Sequence, residues 1–330
     1  MEVGKISESV LKRSVLRKIK SRNKMVINGA DVGADCAVFT CREGAFAQSV
    51  QGATLFKPAE IRFLIHRAVS GIAVSGAKPA GILLSLFLPE GLPESDLKEL
   101  MEMADRTAEE LGLEIAGGHT QVFAGLPGIY ASVTAAGDGP VKLQEIKSLK
   151  PGWDIVASKW VGLEGTAMLV ERYGEDLAGR YPLHMLKTAG AFDRYLSIVK
   201  DSAAAIESGA GALHDVSGGG IYAALWELAE RADVGLEIDL KRIPIRQETV
   251  EVCEFFGVSP YELCSGGTLL AVAEDGGALV RRLQTLQLPA AVIGRITDNN
   301  DRVVINEEEK RFLERPKGDE LTKIERRYGK

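Results

Sequence analysis

The sequence predicts a two-domain protein of the α/β or α+β class, in which each domain mixes helices with strands. The chain has 330 residues, and a typical domain has roughly 100–200 residues. In both halves, segments with apolar residues at helical spacing alternate with short apolar runs of strand length. A stretch containing proline and glycine, residues 148–152, lies between the halves. We therefore expect domains at residues 1–150 and 151–330.

The first domain is expected to begin with a helix and a glycine loop, followed by strands and helices. Pro58 suits the start of the second helix, where its missing N–H would have no helical partner. Glu94 opens an amphipathic helix that Gly112 ends as the C′ residue. The predicted helices are residues 1–20, 60–75 and 94–111, and the predicted strands are residues 37–40, 45–50, 81–88, 113–116 and 129–136, the last two flanking a glycine-rich loop.

The second domain repeats this mixture of elements. Its clearest helix, residues 221–231, directly follows three glycines. The highly charged tail from Glu307 predicts a frayed surface segment. The other predicted helices are residues 165–173, 192–208, 248–256 and 278–287, and the predicted strands are residues 153–158, 237–240, 268–273 and 291–296, with a strand-to-loop junction at residues 214–220.

Composition and charge exclude several classes of protein. The net charge is −6 and no basic run is long, whereas nucleic-acid binding needs a concentrated basic face. No apolar stretch reaches the roughly 18 residues of a membrane span, and no secretory signal opens the chain. The four cysteines form no CxxC pair and the four histidines no zinc-type pair. This usage suits a reducing compartment, so we expect a cytoplasmic protein.

The first of three glycine-containing clusters is residues 31–37. Asp31 and Asp35 lie four residues apart in a loop that also contains Gly33. Such carboxylates could reach a hydrated Mg²⁺, which binds few protein oxygens and keeps several waters. A turn with Asx-type hydrogen bonds would explain the same residues. Asp35 is the candidate metal ligand and a candidate catalytic residue, and Gly33 is a candidate ligand contact.

The second cluster is Gly117-Gly118-His119-Thr120. Paired glycines at a strand end allow backbone to approach a ligand closely, and an imidazole can donate to a phosphate oxygen. The alternative is a hairpin loop in which the histidine has no role. All four residues are candidate ligand contacts, and His119 is also a candidate catalytic residue.

The third cluster is His214-Asp215-Val216-Ser217-Gly218-Gly219-Gly220, directly before the helix at residues 221–231. The first N–H groups of a helix lack partners and lie at the positive end of its dipole, so they can bind an anion. Glycines also serve simple close packing. Gly218, Gly219 and Gly220 are candidate phosphate contacts, and Asp215 at the strand end is a candidate catalytic residue. No cluster matches a P-loop, a dinucleotide fingerprint or a nucleophile elbow.

Taken in chain order, these clusters resemble the aminoimidazole ribonucleotide (AIR) synthase superfamily, which includes selenophosphate synthetase, thiamine-phosphate kinase and the hydrogenase maturation protein HypE. The resemblance covers nearly the whole chain. The matching segments are residues 33–38 (family GDDAAV), 76–79 (MGAKP), 117–120 (GGET or GDT) and 214–220 (HDVTRGG or ITGGG), with residues 243–245, 253–254 and 266–269 most similar to the HypE branch.

The resemblance implies a homodimer in which the N-terminal mixed sheets pair into a β-barrel, and a C-terminal α/β sandwich. It also implies that ATP and Mg²⁺ bind between the domains or at the dimer interface. The family chemistry is ATP-driven activation, in which an oxygen is phosphorylated and then displaced or eliminated. A maturation-protein partner would follow from a HypE-like role.

The sequence departs from the family at its metal-holding acids. Other residues stand at four such positions: Ala34, Gln51, Gly71 and His119. Phosphoryl transfer relies on metal to neutralise phosphate charge, and a histidine does not replace a hard oxygen ligand. The HypE carrier cysteine at the C-terminus is also missing, because the last cysteine is Cys264.

Three hypotheses follow for the function. The first is a HypE-related protein that binds ATP or another phosphate ligand, with weak or altered ATP-dependent chemistry. The second is a catalytically inactive scaffold or regulatory partner in metalloenzyme maturation. The third is an active kinase or synthetase of the thiamine-phosphate kinase type that uses other acids, such as Asp31, Asp35 and Asp215.

Overall fold

The computed structural model describes residues 8–19, 23–41, 44–139, 149–315 and 318–328. Contacts divide the chain into two compact units. The N-terminal unit comprises Asn23–Gly29 and Asp35–Lys142, and the C-terminal unit comprises Met1–Arg22, Ala30–Ala34 and Leu143–Lys330. The chain therefore passes between the units within the first glycine cluster. The predicted opening helix is described only from Glu8, where a short α-helix, α1 (Glu8–Val10), continues as a π-turn and a 3₁₀-turn to Lys18.

A six-stranded mixed sheet forms the centre of the N-terminal unit. The strands are β1 (Val26–Asn28), β2 (Ala37–Cys41), β3 (Gly44–Leu55), β4 (Lys78–Pro89), β5 (Glu114–Phe123) and β6 (Ile129–Gly139). Their spatial order is β1-β2-β3-β6-β4-β5, and all neighbours are antiparallel except β4 and β5. The helices of this unit are α2 (Ile61–Ala73) and α3 (Glu94–Leu111).

The end of α3 shows why the sequence predicted this helix well. Leu100, Ala104 and Ala108 are buried at four-residue spacing, which gives the helix one apolar face. Gly112 adopts φ 67°, and Leu113 N donates to Ala108 O at 2.8 Å. This 6→1 bond is the Schellman ending, in which a glycine in the left-handed region satisfies the last carbonyl groups.

The prediction of a loop at Gly117–Thr120 was wrong, because these residues belong to the continuous strand β5. Strand β5 is an edge strand that pairs in parallel with β4, with a register shift next to Leu83. A Cβ at Gly118 would lie only 1.8 Å from Leu84 O. The glycine there permits close contact between two strands, which is an established use of glycine inside a sheet.

One face of this sheet exposes large apolar side chains. Pairing places Val50 of β3 and Leu83 of β4 opposite the same residue of β6, so both point to this side. Val50 is 64% exposed and Leu83 47% exposed. We call this side the open face and define it by Val50, Leu83, Phe87, Phe123 and Tyr130.

A seven-stranded sheet lies in the C-terminal unit. Its strands are β7 (Asp154–Ser158), β8 (Ala212–Val216), β9 (Gly235–Asp239), β10 (Thr268–Ala273), β11 (Ala290–Thr297), β12 (Arg302–Asn306) and β13 (Glu309–Phe312). Their spatial order is β13-β12-β9-β11-β7-β10-β8, and all neighbours are antiparallel except β9 and β12. The helices are α4 (Leu163–Ala178), α5 (Leu183–Gly190), α6 (Val199–Glu207), α7 (Gly220–Ala232), α8 (Gln247–Phe256), α9 (Gly276–Thr285) and α10 (Glu320–Tyr328).

The prediction that the tail from Glu307 is frayed was also wrong, since the tail contains β13 and α10. Ile324 is fully buried, and the Glu325 carboxylate accepts from Arg172 Nη1 at 2.6 Å. The Tyr328 ring packs edge-on against Phe256. High charge did not predict fraying here, because the apolar residues at helical spacing find a docking surface. Within the described residues, no helix is both long and apolar enough to cross a bilayer.

Candidate phosphate-binding site

The first cluster is split between the units, and its Gly33 packs against α7 of the C-terminal unit. Gly33 has φ 68°, its carbonyl oxygen accepts from Arg231 Nη1 at 3.0 Å, and a Cβ would lie 2.9 Å from Glu227 O. Asp31 Oδ1 accepts from Val32 N at 2.8 Å. This bond reaches the amide of the next residue, one position short of the contact that defines an Asx turn.

Asp35 belongs to the N-terminal unit, where its carbonyl oxygen lies against helix α2 at Gly71. A Cβ at Gly71 would lie 2.5 Å from Ser49 Oγ and 2.6 Å from Asp35 O. Real Cβ atoms do not approach other atoms so closely. Ser49 Oγ is buried on the helix-covered side of β3. The space that a family acid at position 71 would need is therefore filled by backbone and by Ser49.

The residues at the four substituted positions do not fit the family's metal site. Ala34 and Gly71 have no side-chain oxygen, and Gln51 is a half-buried neutral residue of β3. His119 lies on exposed β5. Within the N-terminal unit, the first loop and these four positions offer one carboxylate, that of Asp35. Mg²⁺ favours carboxylates together with substrate phosphates, so these positions provide a poor set of ligands for it.

His119 lies on the open face together with Gln121. Its Nε2 donates to Gln121 Oε1 at 3.0 Å. Gly117 lies on the same side of β5, and a Cβ at this position would lie 3.7 Å from Leu83 Cδ2. Thr120 points to the other side of the strand, because successive side chains alternate. His119 and Thr120 could therefore not contact one ligand from the same side of β5.

The third cluster has the strand–glycine–helix geometry that the sequence predicts. His214 and Asp215 are buried in β8, opposite Leu270 and Leu269 of β10. The chain then turns through Gly218 into α7, with Gly219 at φ 85° and Gly220 at φ 66°.

Close packing accounts for one of these glycines. A Cβ at Gly220 would lie 2.5 Å from Tyr261 O and 2.7 Å from Leu263 O. His214 Nε2 lies 3.4 Å from Glu227 Oε2 of α7, which ties the strand to the helix. Gly220 thus serves packing, whereas the amide of Gly219 points to a different partner.

The amide of Gly219 donates to Asp319 Oδ2 at 2.6 Å. Asp319 directly precedes α10, in the tail whose high charge predicted fraying. Its other oxygen lies 3.4 Å from Cys264 N and accepts from Leu321 N at 2.8 Å. The N-terminus of α7, which the sequence predicts to bind an anion, therefore binds a carboxylate oxygen of the chain itself.

Sequence reasoning missed two buried or capping acids in this unit, Asp319 and Glu164. Glu164 is 1% exposed and its Oε2 accepts from Gly266 N at 3.1 Å. A signal existed for Asp319, because an aspartate followed by apolar Leu321 and Ile324 at helical spacing is typical of a capped helix. No local signal connected Glu164 with Gly266, since 102 residues separate them.

Comparisons with known proteins agree with this architecture. The AIR synthase related protein family matches by its N-terminal domain over residues 33–138 and by its C-terminal domain over residues 150–306. A putative hydrogenase expression/formation protein of Methanocaldococcus jannaschii is 25% identical over 97% of both chains.

Two solved structures share the fold. The crystal structure of a HypE–HypF complex has a TM-score of 0.76 at 20% identity, covering 93% of this chain and 100% of the other. The structure of the hydrogenase maturation protein HypE in complex with ATP has a TM-score of 0.70 at 19% identity, covering 95% and 96%. Together with the two domain matches, this similarity confirms the fold that the sequence motifs predicted, and the chain belongs to the AIR synthase related protein family.

Proposed function

We propose that this protein binds ATP or another phosphate-bearing ligand in hydrogenase or metalloenzyme maturation, and that backbone amides hold most of the ligand's charge. The observation that carries the proposal is the N-terminus of α7, whose Gly219 amide already donates to a carboxylate oxygen. Amides at a helix N-terminus suit phosphate for the same electrostatic reason. The HypE relative that is complexed with ATP supports a nucleotide as the ligand.

Gly218 and Gly219 are the candidate amide donors in the C-terminal unit, with Asp215 in β8, whereas Gly220 N already donates to Ser217 O at 3.1 Å. Gly33, Asp35, Gly117, Gly118 and either His119 or Thr120 are the remaining candidate contacts. Asp35 is the remaining candidate metal ligand, and weak or altered turnover is expected because other residues stand at four positions where the family has metal-holding acids.

Calorimetric titration with ATP, ADP and AMP tests this proposal. We expect ATP to bind, with an affinity that Mg²⁺ changes by less than about threefold, because the acids that would recruit the metal are replaced. Inorganic phosphate at high concentration should compete. If none of the three nucleotides binds, with or without Mg²⁺, the proposal is wrong.

A second function, that of a catalytically inactive scaffold or regulatory partner, is favoured by the filled space at Gly71. A maturation protein is the natural partner, since a HypE neighbour is found in complex with HypF. Zero ATP turnover together with a stable complex from the native source would favour the scaffold. Measurable turnover without a partner would favour the ligand-activating function.

A homodimer formed by the open face is part of the proposal, because contiguous exposed apolar side chains mark interaction surfaces. The double substitution Val50→Lys/Leu83→Lys should convert dimer into monomer in sedimentation analysis, since it places charges where apolar area would be buried. Leu183→Lys is the matched control: Leu183 is 67% exposed, but it lies in the C-terminal unit. A double variant that sediments like the wild type would exclude the open face.

A further inference from the structure

The N-terminal segment Glu8–Lys18, which we call the strap, belongs to the C-terminal unit although it buries none of its own residues. It consists of α1, a π-turn over Leu11–Val15 and a 3₁₀-turn over Leu16–Lys18. A helical segment this short is marginal in water by itself. Contacts with the rest of the C-terminal unit must therefore hold the strap in place.

These contacts rely on charge and meet at Trp226 of α7. The indole Nε1 donates to Glu8 Oε2 at 2.9 Å, and Lys12 Nζ binds the Glu230 carboxylate. Glu8 Oε1 also lies 2.7 Å from Lys12 Nζ and 3.6 Å from Arg315 Nη2. Glu8 and Lys12 are four residues apart, as are Trp226 and Glu230, so one turn of the strap matches one turn of α7.

Arg302 of β12 completes the α7 side of this contact. Its Nη2 donates to Glu230 Oε2 at 2.7 Å, and its guanidinium carbon lies 4.0 Å from the centroid of the Trp226 ring. Hydrogen bonds from Lys12 and from Arg302 lower the pKa of the Glu230 carboxyl to about 2. Glu230 is therefore anionic at neutral pH, and the strap adds Glu8 and Lys12 to a surface that Arg302 already organises.

The other charges of the strap take no part in this contact. Arg13, Arg17 and Lys18 are exposed, and none of them forms an ion pair within the part of the chain that the structure describes. Val15 is 40% exposed, so it contributes little apolar burial. The Lys12 side chain itself is 42% exposed. Ion pairs with this much exposure are weak and are screened by salt.

We propose that the strap is a reversible device, locked onto α7 through Glu8 and Lys12, that detaches when salt or loss of the Lys12 charge weakens this lock. The inference goes beyond the proposed function and holds whether or not the protein binds a phosphate ligand. The same helix carries Glu227 and Arg231, which contact Gly33 of the first cluster. One helix thus supports both the strap and a candidate ligand contact.

Hydrogen exchange and NMR of the full-length protein test the inference. Raising NaCl from about 20 mM to about 1 M shortens the Debye length to about 3 Å, so exchange at the Trp226 indole N–H should rise at least about fivefold. Its resonance is assigned with Trp226→Phe. The Leu16 amide, which donates to Leu11 O, should exchange faster in parallel. The Leu113 amide, which donates to Ala108 O in the N-terminal unit, should stay unchanged.

Lys12→Gln removes the lock without added salt. At about 20 mM NaCl, this variant should show the fast exchange at Trp226 and Leu16 that the wild type shows at about 1 M. Arg13→Gln is the matched control, because it removes the same charge from the next residue of the strap, and it should exchange like the wild type.

Two results would overturn the inference. If neither 1 M NaCl nor Lys12→Gln changes exchange at Trp226 and Leu16, charge does not hold the strap. If Lys12→Gln and Arg13→Gln accelerate exchange equally, the net charge of the strap decides its position and the contact with Glu230 does not.

Discussion

Replacing Gly71 by aspartate is expected to destabilise the N-terminal unit and not to restore a metal site. A Cβ at position 71 would lie 2.5 Å from Ser49 Oγ, 2.6 Å from Asp35 O and 2.9 Å from Ser49 Cβ. Rotation of the serine side chain could relieve only the first contact. The aspartate would also bring a carboxylate into a buried helix segment. Overpacking and an unsatisfied buried charge together should cost on the order of 3 kcal/mol or more.

Two further variants separate the steric and electrostatic parts of this loss. Gly71→Ala should cost about 1–3 kcal/mol through overpacking alone. Gly174→Asp is the control: Gly174 lies in α4 with no atom within 4 Å of its ideal Cβ position, so the substitution should change stability by less than about 1 kcal/mol.

Urea denaturation and ATP titration in Mg²⁺ check the result together. Gly71→Asp should lower the denaturation midpoint most, followed by Gly71→Ala, and neither should gain Mg²⁺-dependent ATP binding. An aspartate variant that is as stable as the wild type and binds Mg²⁺–ATP more tightly would show that position 71 has room for a metal-binding acid, which contradicts the prediction.

The sequence predicted those elements whose signals are local. The helix at residues 94–111 was confirmed because its apolar spacing and Gly112 act within one element. Strand β5 was predicted incorrectly because paired glycines usually mark a loop, whereas here Gly118 is required by the Leu84 carbonyl of the neighbouring strand. The contact between the two strands requires glycine at this position, and the sequence of β5 alone does not show that contact.

In the candidate site too, features with local signals were predicted and features that depend on distant residues were not. The glycine turn before α7 was confirmed from residues adjacent in sequence, since the strand, the glycines and the helix all lie within 212–232. The partner of that turn, Asp319, is 100 residues away from Gly219. The closure at Gly71 likewise brings together β3, the Asp35 loop and α2. Such contacts depend on tertiary packing, so they required the structure.

The second large effect is expected at the buried ion pair between Lys159 and Asp201. Lys159 Nζ lies 3.0 Å and 3.1 Å from the two Asp201 oxygens and donates to Ser197 O at 2.7 Å. The side chains are 3% and 1% exposed. Removing one partner of a buried pair leaves the other charge unpaired, which typically costs about 3–5 kcal/mol. Asp201→Asn should therefore be strongly destabilising.

This loss should depend on pH in a defined direction. Burial lowers the pKa of the Lys159 ammonium from its ordinary value of 10.5, and the Asp201 carboxylate opposes that shift. Without the carboxylate, the pKa falls further. Between the lowered pKa and 10.5, the folded protein then binds fewer protons than the unfolded chain, so its free energy of unfolding rises with pH. Asp201→Asn should thus recover part of its stability as pH rises towards 10.5.

Two comparisons isolate the buried charge as the cause. Lys159→Met in the Asp201→Asn background removes the unpaired ammonium, so the double variant should be more stable than Asp201→Asn and should lose the added pH dependence. Glu207→Gln breaks the exposed pair with Arg282, whose side chains are 65% and 46% exposed, and should cost less than about 1 kcal/mol.

Denaturant unfolding of these variants between pH 6 and pH 10 measures both effects. The decisive comparison is the slope of unfolding free energy against pH, because a lost hydrogen bond from Ser158 to Asp201 would lower stability equally at every pH. A slope that matches the wild type in Asp201→Asn, or a double variant less stable than the single one, would mean that Lys159 is not held as a buried cation. The pair would then contribute to stability through packing and hydrogen bonding and not through charge.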